Sequence, residues 1–103
     1  GGFDHNYVIA GRGFRLAAAA WDPGSGRKLE VYTDAPGMQF YTANHLNGVS
    51  KNKEGASYPK HCAYCFETQN FPDAVNIGHF PNPIVMEGGS MVTLTEFRFS
   101  VAD

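Results

Sequence analysis

Apolar and polar residues alternate in short runs along this chain, and Gly and Pro clusters separate the runs. Lys28–Thr33 sets Leu29, Val31 and Thr33 against Lys28, Glu30 and Tyr32, the period of two expected of a half-buried strand. Ala63–Gln69 alternates in the same way, with Ala63, Cys65, Glu67 and Gln69 on one face and Tyr64, Phe66 and Thr68 on the other. Met91–Val101 reads as a long alternating strand. Asn6–Ile9 and Phe14–Trp21 read as strands joined across Gly11-Arg12-Gly13, and Met38–Thr42 follows a turn at Ala35-Pro36-Gly37. Ala17–Ala20 favours helix on propensity. The run stops at Asp22-Pro23-Gly24, however, so it reads as a strand whose small side chains permit close packing.

The segments between are polar. His45 to Lys60 is a long loop with Gly48, Gly55 and Pro59, and Asn70 to Pro83 is irregular, with one helical turn near Asp73–Asn76. Helix signals are otherwise nearly absent, so the pattern predicts an all-β chain of six or seven mostly antiparallel strands with long loops. Strands so few and so widely spaced close poorly on themselves and would leave unpaired edges. The expectation is one partial domain over residues 1–103, the last third of a larger β protein.

Composition narrows the function. The 103 residues carry 8 Lys+Arg against 10 Asp+Glu, a formal net charge of −2, and no basic run, which argues against nucleic acid as a partner. Hydrophobic residues make up 43% of the chain, too many for a disordered segment. The longest apolar run, Leu16–Trp21, is far short of the ~20 residues that span a bilayer, so no membrane partner is expected. Neither is a signal peptide. Two cysteines, Cys62 and Cys65, are too few for a disulfide framework and fit a reducing cytoplasm.

Few residues stand out chemically. Asp4-His5-Asn6 reads as an Asx turn capping the start of a strand, with a ligand-facing carboxylate as the alternative. Glu67 sits mid-strand beside Cys65 and Gln69. There it is either edge-exposed or held in a cleft where it can work as a base. Gln39 can bond a sugar hydroxyl as donor and acceptor, or simply satisfy nearby backbone groups. Cys62-Ala63-Tyr64-Cys65 leads into a strand and lacks two further ligands at zinc spacing, so no metal is assigned to it. His45 and His61 bound the polar loop and read as surface residues, and His5 and His79 have no nucleophile partner. Trp21, Phe40, Tyr41, Phe71 and Phe80 could stack on sugar rings, although aromatic residues in a β core are commoner.

Five motifs in order resemble the aldose 1-epimerase family. They are Gly2-Phe3-Asp4-His5-Asn6-Tyr7, Ser25 through Thr33, Pro36-Gly37-Met38-Gln39-Phe40-Tyr41-Thr42, Cys65-Phe66-Glu67-Thr68-Gln69-Asn70-Phe71-Pro72-Asp73-Ala74, and Phe80-Pro81. The resemblance implies the C-terminal portion of a β-supersandwich that interconverts the α and β anomers of hexoses such as galactose and glucose, without metal or organic cofactor. It makes Glu67 the general base, and it makes Asp4 and Gln39 residues that bond sugar hydroxyls. Mutarotation needs a base for the anomeric hydroxyl proton and an acid for the ring oxygen. The family's acid is a histidine well upstream of the Asp4 motif, and this chain contains no matching segment. A sugar-binding remnant that keeps Asp4 and Gln39 without turnover is therefore the alternative reading.

Overall fold

The computed structural model describes residues 1–102. The alternating runs form six strands: β1 Asp4–Val8, β2 Arg15–Trp21, β3 Arg27–Thr33, β4 Gly37–Tyr41, β5 Cys65–Gln69 and β6 Thr95–Val101. They build two antiparallel three-stranded sheets, ordered β1-β4-β5 and β2-β3-β6. A single 3-10 turn, Ala74–Asn76, stands where the helical turn is expected. The alanine run lies in β2 as a strand. Its pairing with β3 shifts between Leu16 and Ala18, so Ala17 is a bulge that its small side chain accommodates.

Three boundaries differ from the sequence expectation by two residues or more. Residues 91–94 do not extend β6, because the Leu94 backbone is engaged at the β3–β4 turn. Its carbonyl accepts from the Thr33 hydroxyl and the Asp34 N–H, and its N–H donates to Asp34 Oδ1 at 2.9 Å. β5 starts at Cys65 because its partner β4 ends at Tyr41, which leaves Ala63 and Tyr64 outside the ladder. β1 starts at Asp4, not Asn6, since Asp4 and His5 already pair with Tyr41 and Phe40.

Two side-chain devices join the sheets. The Arg15 guanidinium, from β2, donates to the carbonyls of Ile9, Ala10, Gly13, Thr33 and Ala35, all within 3.2 Å. One side chain thus satisfies backbone groups in both the β1–β2 and the β3–β4 connections. The second device is a line of threonines. Thr68 of β5 and Thr95 of β6 lie 2.7 Å apart, and Thr95 and Thr33 3.0 Å apart. Thr33 is fully buried and gives its hydroxyl proton to the Leu94 carbonyl. Each hydroxyl has one proton, so the line runs Thr68 to Thr95 to Thr33 to Leu94.

The buried core is small: Val31, Ala35, Met38, Ala43 and Ala74, with Thr33. The accessible surface is 7490 Å², whereas a compact monomer of this length would expose about 5,700 Å². The radius of gyration of 16.7 Å exceeds the ~13 Å expected for a compact domain. The sheets splay apart, and large apolar side chains such as Trp21, Phe97, Phe99 and Val101 are left exposed.

Candidate functional site

Period-two alternation and strand register together divide the β1-β4-β5 sheet into two unlike faces. Asn6 pairs with Gln39, and Gln39 with Glu67, so one row carries three polar side chains across three strands. Asp4, Tyr41 and Cys65 form the next row on that face, and Val8, Gly37 and Gln69 the row beyond. The opposite face carries Tyr7, Met38, Phe40, Phe66 and Thr68. There Phe40 stacks on Phe66 and lies against Phe3, both at 5.3 Å between ring centroids. A one-residue slip of β5 would turn Phe66 out and Glu67 in, so the aromatic stack fixes the register that places Glu67.

Hydrogen bonds tie the polar face together. Gln39 Nε2 donates to Asp4 Oδ1 at 2.9 Å. Gln69 Nε2 donates to Asn6 Oδ1 at 2.9 Å and to Gln39 Oε1 at 3.1 Å. The Asp4 carboxylate also faces the loop after β4, where His45 Nε2 lies 3.7 Å from Asp4 Oδ2. His45 is held by Tyr41: its ring stacks on the tyrosine at 5.9 Å, and its backbone N–H donates to the tyrosine hydroxyl at 3.1 Å. Glu67 is exposed, and no hydrogen bond or ion pair engages its carboxylate among the described residues. An unengaged carboxylate on an open polar face has all its acceptor positions free for a ligand.

Gly37 makes room for this arrangement. A Cβ there would sit 2.6 Å from Asn6 Oδ1 and 2.8 Å from the Phe71 ring. The Phe71 ring therefore lies at the Gly37 end of the polar face, braced edge-on by Phe80 at 5.1 Å. Clefts open on the other side of the sheet, against Phe40. One, of about 420 Å³, is lined by Ala18, Met38, Phe40 and Phe66. It is an apolar gap between the splayed sheets and contains none of the polar row.

The structure places all three residues singled out from the sequence on one face, and it directly joins Asp4 to Gln39. It corrects two local expectations. Asp4-His5-Asn6 is paired strand, not a turn. Gln39 bonds side chains of neighbouring strands, not backbone. Both expected surface histidines are exposed: His45 sits against Asp4, and His61 Nδ1 bonds the Thr42 carbonyl at 2.7 Å. Sequence reasoning missed Asn6, Gln69 and His45. The first two were within reach, since each lies two residues from a chosen carboxylate and so shares its face. His45 left no such signal, because a loop residue's direction does not follow from alternation. Cys62 and Cys65 are both free and exposed. Among the described residues, no three His, Cys, Asp or Glu side chains gather as metal ligands, and no helix is long and apolar enough to cross a membrane.

Comparison with known proteins extends the picture. The family model for aldose 1-epimerase matches residues 1–98. Galactose mutarotase of Bos taurus is 52% identical over 102 residues, covering 98% of this chain and 30% of the relative. The Homo sapiens galactose mutarotase is 50% identical with the same coverage. Aldose 1-epimerase of Escherichia coli (strain K12) is 33% identical over 103 residues, covering 95% of this chain and 29% of the relative. The chain thus spans about 30% of the length of the curated relatives it matches.

Proposed function

The chain belongs to the aldose 1-epimerase family, and from that premise we propose that its polar face is the sugar-binding side of an enzyme that interconverts the α and β anomers of hexoses such as galactose and glucose. The observation that carries the reading is the common face of Asp4, Gln39 and Glu67, with Asn6, Gln39 and Glu67 in one cross-strand row. Glu67 takes the proton of the anomeric hydroxyl as the bond from C1 to the ring oxygen breaks. The open-chain aldehyde rotates about its C1–C2 bond and recloses on the other face. Asp4 accepts from sugar hydroxyls and Gln39 donates to them, which orients the anomeric hydroxyl toward Glu67. The ring oxygen requires a proton donor in the same step.

The test uses a chimera in which residues 1–102 replace the matched segment of the Bos taurus galactose mutarotase, followed by polarimetry of galactose. The chimera accelerates mutarotation, and Glu67→Gln lowers its kcat by roughly 10²-fold or more, the scale of a lost general base. Near-parental turnover in the Glu67→Gln chimera overturns the assignment.

A second reading has one observation in its favour. The Asp4, Gln39, Gln69 and Asn6 side chains complete a network within this chain, while the Glu67 carboxylate is held by none of them. In that reading the chain binds sugar without turnover, and galactose binding by an inactive chimera would support it.

A further inference from the structure

Gln69 lies two residues beyond Glu67 on the same face, half-buried. Its amide group donates to Asn6 Oδ1 and to Gln39 Oε1 at 2.9 and 3.1 Å. Gln39 in turn donates to Asp4. The polarity of this chain of contacts follows from its end. A carboxylate accepts and does not donate, so Gln39 must turn its amide nitrogen toward Asp4. The Gln39 oxygen then faces Gln69 and requires a donor there. Gln69 supplies it, and uses its second N–H on Asn6.

We infer that Gln69 is the positioning residue that, together with Asp4 at the other end of the amide, holds the way the Gln39 amide faces, so that the polar face offers one free Gln39 N–H as donor beside the Asp4 oxygens as acceptors. This deepens the sugar-site reading and rests on it. A hexose hydroxyl that both donates and accepts matches such a pair. A flipped Gln39 would put an acceptor next to an acceptor, leaving Asp4 facing an amide oxygen. Gln69 touches no sugar in this account and acts only through Gln39. Its own placement depends on β5 register and on the space above Gly37 that admits the Asn6 amide.

The test compares the galactose mutarotase chimera, as parent, with its Gln69→Met variant, which fills similar space without a donor, and its Gln69→Glu variant, which can only accept while ionised. Side-chain amide signals in ¹⁵N-labelled protein are followed during D-galactose titration. In the parent, galactose moves the Gln39 amide signals. In Gln69→Met, the Gln39 signals lose their dispersion without sugar, and galactose binds on the order of tenfold more weakly, the scale of one misdirected hydrogen bond. Gln69→Glu is weakened similarly at pH 7. Its new carboxyl shares the polar face with Glu67, two residues away on β5, and is separated by Gln39 from Asp4 and the His45 imidazole beside it; once protonated it gains an O–H donor for Gln39. Its affinity relative to the parent therefore recovers toward acid pH, while that of Gln69→Met stays flat. A purely packing role produces no such acid rescue. If the parent responds to galactose and Gln69→Met keeps both its Gln39 signals and its affinity, the role of Gln69 is overturned and the sugar site stands. If the parent shows no response to galactose, the sugar-site reading falls and takes this inference with it.

Discussion

Asp4 is the residue on which the polar face turns. Its carboxylate accepts from Gln39 on one side and meets His45 on the other. The local pattern Asp4-His5-Asn6 resembles a turn cap, and only pairing with Tyr41 and Gln39 makes it strand. Asp4→Asn keeps an oxygen that can accept from Gln39 but removes the charge that sets the direction of the network. In the chimeric enzyme this substitution weakens sugar affinity at every pH and leaves any acidic limb of the rate–pH profile in place. Loss of that limb with unchanged affinity would exchange the roles of Asp4 and Glu67. The measurement is KM and kcat for galactose across the pH range.

Among the elements, the β2–β3 hairpin carries the clearest titrating contact. Asp22 opens its turn. Asp22 Oδ2 accepts from the Ser25 hydroxyl at 2.5 Å and the Ser25 N–H at 3.0 Å, and Oδ1 from the Gly24 N–H at 3.2 Å. These bonds, the Ser25 hydroxyl first, hold the Asp22 carboxyl below its ordinary value. A carboxyl whose pKa is lower folded than unfolded stabilises the fold at pH above the unfolded value. That contribution is lost as pH falls through the lowered folded value. Thermal unfolding of the chain and of Asp22→Asn therefore differs most near neutral pH, with the parent more stable. The gap narrows below about pH 4, where the unfolded aspartate protonates. A gap that widens in acid would contradict this origin. The rest of the hairpin makes other contacts: Lys28 pairs with Glu30 at 3.2 Å, and the Arg98 guanidinium of β6 sits 3.9 Å above the Tyr32 ring.

At the scale of the molecule, the two sheets touch through Arg15 and the threonine line but do not close. Phe99 is 79% exposed, Trp21 61% and Val101 72%. Strands β1, β5, β2 and β6 each keep one edge unpaired within their sheets. Such edges and apolar faces favour association with further β structure. The polar face is equally open, so solvent competes for every contact a sugar would make on it. The isolated 103-residue chain therefore self-associates in light-scattering measurements at micromolar concentration and shows negligible mutarotation of galactose by polarimetry. General-acid assistance to the ring oxygen is typically worth ~10²–10⁴-fold, and the proposed roles of Asp4, Gln39 and Glu67 do not include it. A monomeric chain as fast as an intact mutarotase would overturn this, and would bring forward His45, the imidazole set against Asp4, as the acid.

Alternation alone determined that the chain is all-β and which side chains share a strand face, because a strand turns each successive residue by half a revolution whatever it packs against. That placed Glu67 with Gln69, and Gln39 away from Phe40, before any pairing was known. Motif order determined the family. Only the tertiary structure decided that β4 lies between β1 and β5, so that residues 35 and 63 positions apart meet as Gln39 with Asp4 and Gln69 with Asn6. Register between distant strands depends on the fit of their side chains, here the Phe40–Phe66 stack, and no local pattern encodes it. The same holds for His45, whose place beside Asp4 follows from the path of a loop and the hydroxyl of Tyr41. Strand ends were likewise decided by partners, as at Leu94, where bonds to Thr33 and Asp34 stopped a strand that alternation would have continued.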